Sequence, residues 1–377
     1  MEYFQEHFPH PFFGFPWELL GYTQWKYLSV IQLASWTGVR GISFLLVAAN
    51  AALTKLNKSS AAVAAGLLLI FVAGKSALRT PKAEDTSLPM RIVILQPNVD
   101  QYKKWTRQYE QEIRKTFEEL ILEAGRFKPD LIVWPEASVP SWFNDPRYQI
   151  WVQSLVRKTN THHLIGALWQ TQGDRYYNSA FTLEPSGKIT GSYQKTHLIP
   201  FGEYVPFREI FGKWIGVLDE LGDTTPGDSF QPLPTPLGNA VTPICYEMIF
   251  PDLVRRIFRN RGDLIINLTN DGWYLGTSEP MQHFSMAVLR AVEHRSYVLR
   301  AANSGISAVI DPWGRVLQKT RLAEKAVLVC EIPKPTRLRT TPYDRYGNWL
   351  EILSAAYLFV MGLWVLKTSR IPVRLLM

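Results

Sequence analysis

The sequence predicts an α/β domain carried between membrane-spanning helices, and three observations predict it. Apolar, strand-like runs alternate with amphipathic helical runs from about residue 90 to residue 335. Three segments outside that region are apolar enough, and close to long enough, to cross a bilayer. Several of the apolar strands end in a polar residue, which is where α/β proteins place their chemistry.

The 377 residues carry a net charge of +8, and their mean hydropathy of −0.07 hides strong local contrast. Two cysteines exclude a disulfide framework, and no Cys/His cluster has zinc spacing, so we expect no metal and no cofactor. His162-His163 lies on a strand-like stretch and reads as structural. The basic residues are spread out, without the aromatic-interleaved stripe of a nucleic-acid module. Their excess reads as positive flanks of membrane spans.

The first span candidate is residues 27–53, interrupted by Arg40. The second, residues 60–74, is short and extends to Leu78 if Lys75 snorkels. Its Ala/Gly/Leu content pairs it with the first as a membrane hairpin over 27–78. The third is residues 349–366, with Glu351 near its start. Lys55 and Lys58 lie in the hairpin turn, and Lys367, Arg370 and Arg374 follow the last span. Both sets belong on the cytoplasmic side, which places residues 1–26 and the whole 79–348 region on the outer face and leaves 367–377 as a cytoplasmic tail. Residues 1–26 lack the basic start and short apolar core of a cleavable signal.

Residues 79–89 are a polar, proline-bearing linker, and 336–348 form a second linker after the 90–335 domain. Within the domain, 91–98 and 130–136 are continuous apolar strands separated by an amphipathic helix over 106–127, with Ile113, Phe117, Leu120 and Ile121 on its apolar face. A helix over 149–160 leads to a strand at 163–170 and a hairpin over 177–195 turning at Pro185-Ser186-Gly187. Strands at 240–247 and 263–271 flank a helix at 250–260. A long helix at 279–296 precedes two strands and a Pro-x-Gly hairpin within 297–320. Fully apolar strands alternating with helices mean sheets covered by helices.

Glu136, Lys195, Cys245, Asn270 and Asp271 all terminate strand-like runs. A carboxylate, an ammonium and a thiol on neighbouring strand ends suit acyl transfer, with Glu136 taking the thiol proton, Cys245 attacking a carbonyl and Lys195 stabilising the oxyanion. Cys245 opens a helical pattern, whose positive end favours the thiolate, and a nearby cation acts the same way. Taken singly, each residue has a plainer explanation: a cap, a surface ion pair or a small buried thiol. Cys330, in the strand-like "AVLVCEI", reads as a small buried hydrophobe.

Three segments, "LIVWPEASVP", "YQKTHLIPFGEYVP" and "ICYEMIFPDLVR", resemble the catalytic motifs of the nitrilase, or carbon–nitrogen hydrolase, superfamily. More closely, "ILQPNVDQYKKW", "HLIPFGEYVPF" and the long "NLTNDGWYLG…DPWG" stretch resemble the bacterial apolipoprotein N-acyltransferases, over roughly residues 14–366. "FGFPWELLGYTQW" also matches a segment those enzymes carry before their catalytic domain. The resemblance implies a nitrilase-like αββα sandwich flanked by transmembrane helices, two before and one after. It implies Glu136 as general base, Lys195 as oxyanion stabiliser and Cys245 as nucleophile. Glu203 and Glu247 would be supporting carboxylates, Tyr246 would follow the nucleophile, and Trp105 would stand near the lipid entrance. Trp273 and Tyr274 would lie near the substrates.

The implied reaction takes an acyl chain from a membrane phospholipid, phosphatidylethanolamine foremost, through a Cys245 thioester to the α-amine of a diacylglyceryl-cysteine at the N-terminus of an apolipoprotein. It implies an inner-membrane, multi-pass protein with its catalytic domain on the periplasmic face. An apolar stripe of Phe207, Phe211, Trp214, Ile215 and Leu218 is a candidate interfacial arm, weighed evenly against packing on the domain. The family usually has more spans before the catalytic domain. One expectation is therefore a separate polypeptide carrying the missing helices, and another is an inactive fragment without it. Two further alternatives are a membrane-anchored amidase or nitrilase, which would use water in place of the amine, and a non-catalytic scaffold for lipoprotein precursors.

Overall fold

The computed structural model describes residues 2–7, 14–54, 58–79, 88–171, 175–205, 224–335 and 340–368. Two six-stranded sheets form its centre. The first runs β12 (Ala326–Pro333), β1 (Pro89–Gln96), β2 (Leu131–Val133), β3 (His162–Gln170), β4 (Tyr176–Leu183) and β5 (Ile189–Gln194). The second runs β11 (Val316–Lys319), β10 (Ala308–Ile310), β9 (Val298–Ala302), β8 (Leu264–Thr269), β7 (Gly238–Val241) and β6 (Leu233–Thr235).

Alternation along the apolar strands sorts their side chains between two layers. From β1, Val93 and Leu95 join the helices over Glu110–Arg126 and Pro146–Thr159 through Phe117, Leu120, Trp151 and Val152. Ile92 and Ile94 join the core shared with the second sheet. The far face of that sheet is covered by the helix Glu279–His294, so the whole is an αββα sandwich. Each sheet contains two parallel pairings, β1–β2 and β2–β3 in one, β7–β8 and β8–β9 in the other. Every one of these pairs is bridged by a helix, as a parallel crossover requires.

Among the described residues, three helices are long and apolar enough to cross a membrane: Ala34–Thr54, Ser60–Leu78 and Trp349–Thr368. The first is unlike the others. Of its most apolar window, 39% is buried inside the protein, against 6% and 0% for the other two. The 27–53 run, read as one span, is a short helix Leu28–Ile31 followed by Ala34–Thr54 with a kink at Gly38. Gly38 has φ +68, and a Cβ there would lie 2.7 Å from the Tyr343 ring, so only glycine fits. Val39 and Ile42 face the domain core, and buried Arg40 binds Glu6, Asp252, Asn348 and Glu351. Part of the apolar run therefore belongs to the α/β domain rather than to lipid. An apolar run carries no mark of which solvent it leaves water for.

Two further departures bear on the site. The strand expected at 240–247 ends at Val241. The chain continues extended to Ile244, which bridges to Leu268, and Cys245–Ile249 form a 3-10 turn before the helix Pro251–Arg259. The 297–320 stretch holds three strands, β9, β10 and β11, rather than two. The 207–218 stripe lies outside the described residues.

Candidate active site

Three chain reversals bring the strand-end residues together. After β2 the chain passes through Trp134-Pro135 to Glu136. Its course is fixed by Trp134 N–H on the Leu164 carbonyl at 2.8 Å and Ser138 N–H on the Gly166 carbonyl at 2.7 Å. Gly166 permits the close approach, because a Cβ there would sit 2.5 Å from the Pro135 carbonyl oxygen. Lys195 follows β5, its backbone N–H donating to the Asn178 carbonyl at 2.8 Å. Cys245 opens the 3-10 turn at φ +49, a left-handed conformation that β-carbon-bearing residues adopt at a cost of ~1–3 kcal/mol.

Buried Glu136 and Lys195 form one cluster with the half-buried Glu203. The Lys195 ammonium is 2.7 Å from Glu203 Oε1 and 4.0 Å from Glu136 Oε1. Asn178, from β4, donates to Glu136 Oε1 at 2.7 Å and to Glu203 Oε1 at 3.4 Å. Glu203 is anchored in turn by the Ile199 N–H at 2.8 Å. Burial pulls the Lys195 ammonium down, but Glu203 and Glu136 outweigh it and hold its pKa above the ordinary lysine value. Burial raises the Glu136 carboxyl against the pull of Lys195, which suits a general base.

The expected low thiol pKa is not what the structure has. Burial pushes the Cys245 thiol up, and Glu136 adds to the rise against Lys195. The turn at Cys245 is five residues of 3-10 helix, too short to supply the dipole of a long helix. At rest Cys245 carries a thiol, so any attack by its sulfur needs a base to take the proton.

Glu247 links the lysine and cysteine segments. Its Oε1 accepts from Tyr193 OH at 2.9 Å, Thr196 N–H at 2.7 Å, Thr196 hydroxyl at 2.9 Å and His197 N–H at 3.0 Å. Its Oε2 accepts from Ile244 N–H at 2.8 Å. One fully buried carboxylate thus fixes the residues beside Lys195 against the residue before Cys245. Tyr246 is buried against Phe250 and Phe15, with ring centroids 5.0 and 5.8 Å away. Trp105, Trp273 and Tyr274 are exposed, and Trp273 meets Tyr102 edge-on at 5.8 Å.

Several supporting residues escaped sequence reasoning. His283 places Nε2 3.1 Å from the Cys245 carbonyl oxygen and Nδ1 3.0 Å from Asp271 Oδ1, and Arg300 binds Asp271 Oδ2 at 2.8 Å. Asn178 and His283 lie inside ordinary strand and helix patterns, where nothing marks them. Lys104, in "DQYKKW", is buried and donates to the Glu136 carbonyl at 3.1 Å. Its only visible cue is its place beside Trp105. Asp271, Glu279 and His283 present ligand atoms within 4.8 Å of one another, but Arg300 already supplies the positive charge at Asp271.

A two-sheet αββα sandwich with a glutamate, a lysine and a cysteine at its strand ends defines a carbon–nitrogen hydrolase fold. The family model described as carbon-nitrogen hydrolase matches residues 92–341. The C. elegans NitFhit protein superposes with a TM-score of 0.53 at 21% identity, over 71% of this chain and 65% of that one. The model for the apolipoprotein N-acyltransferase N-terminal domain matches residues 1–52. The apolipoprotein N-acyltransferase of Geobacter metallireducens is 37% identical over 91% of this chain and 69% of its own length. The Brucella melitensis enzyme of the same name is 34% identical over 90% of this chain and 66% of its own. The chain therefore belongs to the apolipoprotein N-acyltransferase family, and it spans about two thirds of the length of these relatives.

Proposed function

We propose that this protein transfers an acyl chain from a membrane phospholipid, through a thioester on Cys245, to the α-amine of a diacylglyceryl-modified cysteine at an apolipoprotein N-terminus. The observation that carries the reading is the Glu136–Lys195–Glu203 cluster beside Cys245, its base and its lysine buried, held on a domain that packs directly onto an apolar helix of membrane length. Glu136 takes the thiol proton as the sulfur attacks the ester carbonyl. Lys195 stabilises the oxygen that becomes anionic. The proton then passes to the departing lysophospholipid alkoxide. In the second half, Glu136 takes a proton from the attacking amine and returns it to the thiolate as the amide forms. Tyr246 and Glu247 support this geometry, and Trp105, Trp273 and Tyr274 line the lipid approach.

We place the protein in the bacterial inner membrane, with residues 90–335 on the periplasmic face, because the basic residues cluster in the hairpin turn and after the last span. The exposed aromatic rings around the site suit an interfacial setting. The amidase alternative has no observation of its own in its favour.

The test is acyl labelling. The detergent-solubilised chain is incubated with a phospholipid labelled in its first acyl ester. Label on the protein that neutral hydroxylamine releases, and that Cys245→Ala abolishes, supports the reading. With an amine acceptor supplied, free fatty acid released without an amide product, or ammonia released from a small amide offered in place of the phospholipid, favours hydrolysis and sinks it. Label that requires added membrane extract supports the finer proposal that a separate polypeptide supplies further helices.

A further inference from the structure

The Lys195 ammonium already has two carboxylates, Glu203 at 2.7 Å and Glu136 at 4.0 Å. The second ammonium in the site, Lys104, has none. It is 3% exposed, and among the described residues no carboxylate lies within ion-pair distance of it. Its Nζ donates to the Glu136 backbone carbonyl at 3.1 Å and lies 5.9 Å from the centre of the Trp105 ring. An ammonium has three donors, and among the described residues only the Glu136 carbonyl takes one of them. Burying such a group without a counter-ion is costly, and the cost is met where a negative charge will later appear.

The loop that carries Lys104 is held in place. Asn98 N–H donates to the Asn303 carbonyl at 2.9 Å. Val99 N–H donates to Asn303 Oδ1 at 3.0 Å, and Asn270 joins the amides of Gln101 and Asn303. These contacts lead back to the end of β8 and the turn after β9, close to the cysteine turn. Burial pulls the Lys104 ammonium down to about 8, while the nearby charges of Glu136 and Cys245 push it up. Both reacting groups of the triad therefore lie within its electrostatic reach.

We propose that Lys104 is a catalytic residue, a second cation that donates to the ester carbonyl oxygen as Cys245 attacks it. The step rests on the acyl-transfer reading of the site. The sulfur–carbon bond forms as the carbonyl π pair moves onto oxygen, and the thiol proton goes to Glu136. Lys195 and Lys104 both face the resulting oxyanion. The π bond re-forms as the carbon–oxygen ester bond breaks, and Glu136 returns its proton to the leaving alkoxide. Lys104 gains its counter-charge only during the reaction, when it lowers the barrier, and not in the resting site.

The experiment is the p-nitrophenol burst of the full-length chain with a p-nitrophenyl acyl ester, with Cys245→Ala as the blank. This probe acylates the thiol without needing a lipid donor. Lys104→Met and Lys104→Gln should each slow the burst at least about 10²-fold. Lys104→Arg, which keeps the charge, should stay at least about tenfold faster than Lys104→Gln. Should Lys104→Met lack a cooperative melting transition, Lys104→Gln decides, since it can keep the bond to the Glu136 carbonyl. A Lys104→Gln burst within about threefold of the native rate, or a Lys104→Arg burst no faster than that of Lys104→Gln, overturns the proposal. An intact native burst without labelling from phospholipid sinks the lipid-donor reading instead, and leaves the Lys104 comparison readable.

Discussion

Lys195 lies closer to Glu203, at 2.7 Å, than to Glu136, at 4.0 Å. Glu203, not Glu136, is what holds the lysine. A general base at Glu136, as proposed, could exchange a proton without losing it. Glu203→Gln should let Lys195 collapse onto Glu136 and reduce the rate of thiol acylation about 10²-fold. Single-turnover acylation measures this directly, and a rate within threefold of native would show that Glu203 is dispensable.

Burial and Glu136 both keep the Cys245 proton in place. Alkylation by iodoacetamide at pH 7 should therefore be more than about tenfold slower than for an unperturbed thiol, and should climb only above about pH 8.5. Glu136→Gln removes a negative charge beside the sulfur, so it should speed alkylation while abolishing acyl transfer. Alkylation rates against pH, in a Cys330→Ala background, test both statements. A plateau already reached near pH 7 would show that the thiolate is preformed.

Glu247 accepts five hydrogen bonds from two chain segments. Glu247→Gln keeps the shape but turns one acceptor into a donor facing other donors. We expect a stability loss of about 2–4 kcal/mol, because hydrogen bonds to charged groups are the stronger kind and a buried mismatch is costly. Denaturant melts in detergent read the loss. An unchanged midpoint would mean that the two segments are fixed by packing alone.

Burial works against the Asp271 carboxylate, but Arg300 and His283 outweigh it and hold its pKa below the ordinary value. A carboxyl whose folded pKa is lowered contributes stability that is present above the unfolded value and is lost as pH falls through the folded one. The native melting temperature should therefore decline below about pH 4. Asp271→Asn should be less stable at pH 7, by about 3 kcal/mol for a broken buried pair, and should show a shallower acid limb. Parallel acid limbs for the two proteins would exclude this pair as the cause.

The layered α/β centre was legible because β1, β2 and most of β8 are runs of aliphatic residues and the 110–126 helix keeps its charges off one face. The β2 run leads to Glu136, whereas Lys195 was located as the end of a hairpin strand of mixed composition. The motif resemblance added Glu203 and Glu247, and family membership bears out that resemblance. What escaped was set by contacts distant in sequence. His283 is tied to Cys245 across 38 residues and Lys104 to Glu136 across 32. The direction of the thiol pKa escaped for a related reason: a neighbouring cation can be guessed from a motif, but the depth of burial that outweighs it cannot. The helix Ala34–Thr54 was legible as apolar and not as divided, since core and lipid select the same side chains.

Arg40 ties together Glu6 near the N-terminus, Asp252 on the first turn of the helix behind Cys245, and Asn348 and Glu351 at the head of the last span. Three stretches of chain, far apart in sequence, converge on one guanidinium at the foot of the α/β domain. A domain on a loose tether could sample a range of heights above the lipid. This one is bolted to its helices at a single spacing. The distance from the site to the head of the last apolar helix is then a constant of the fold, set at one buried guanidinium.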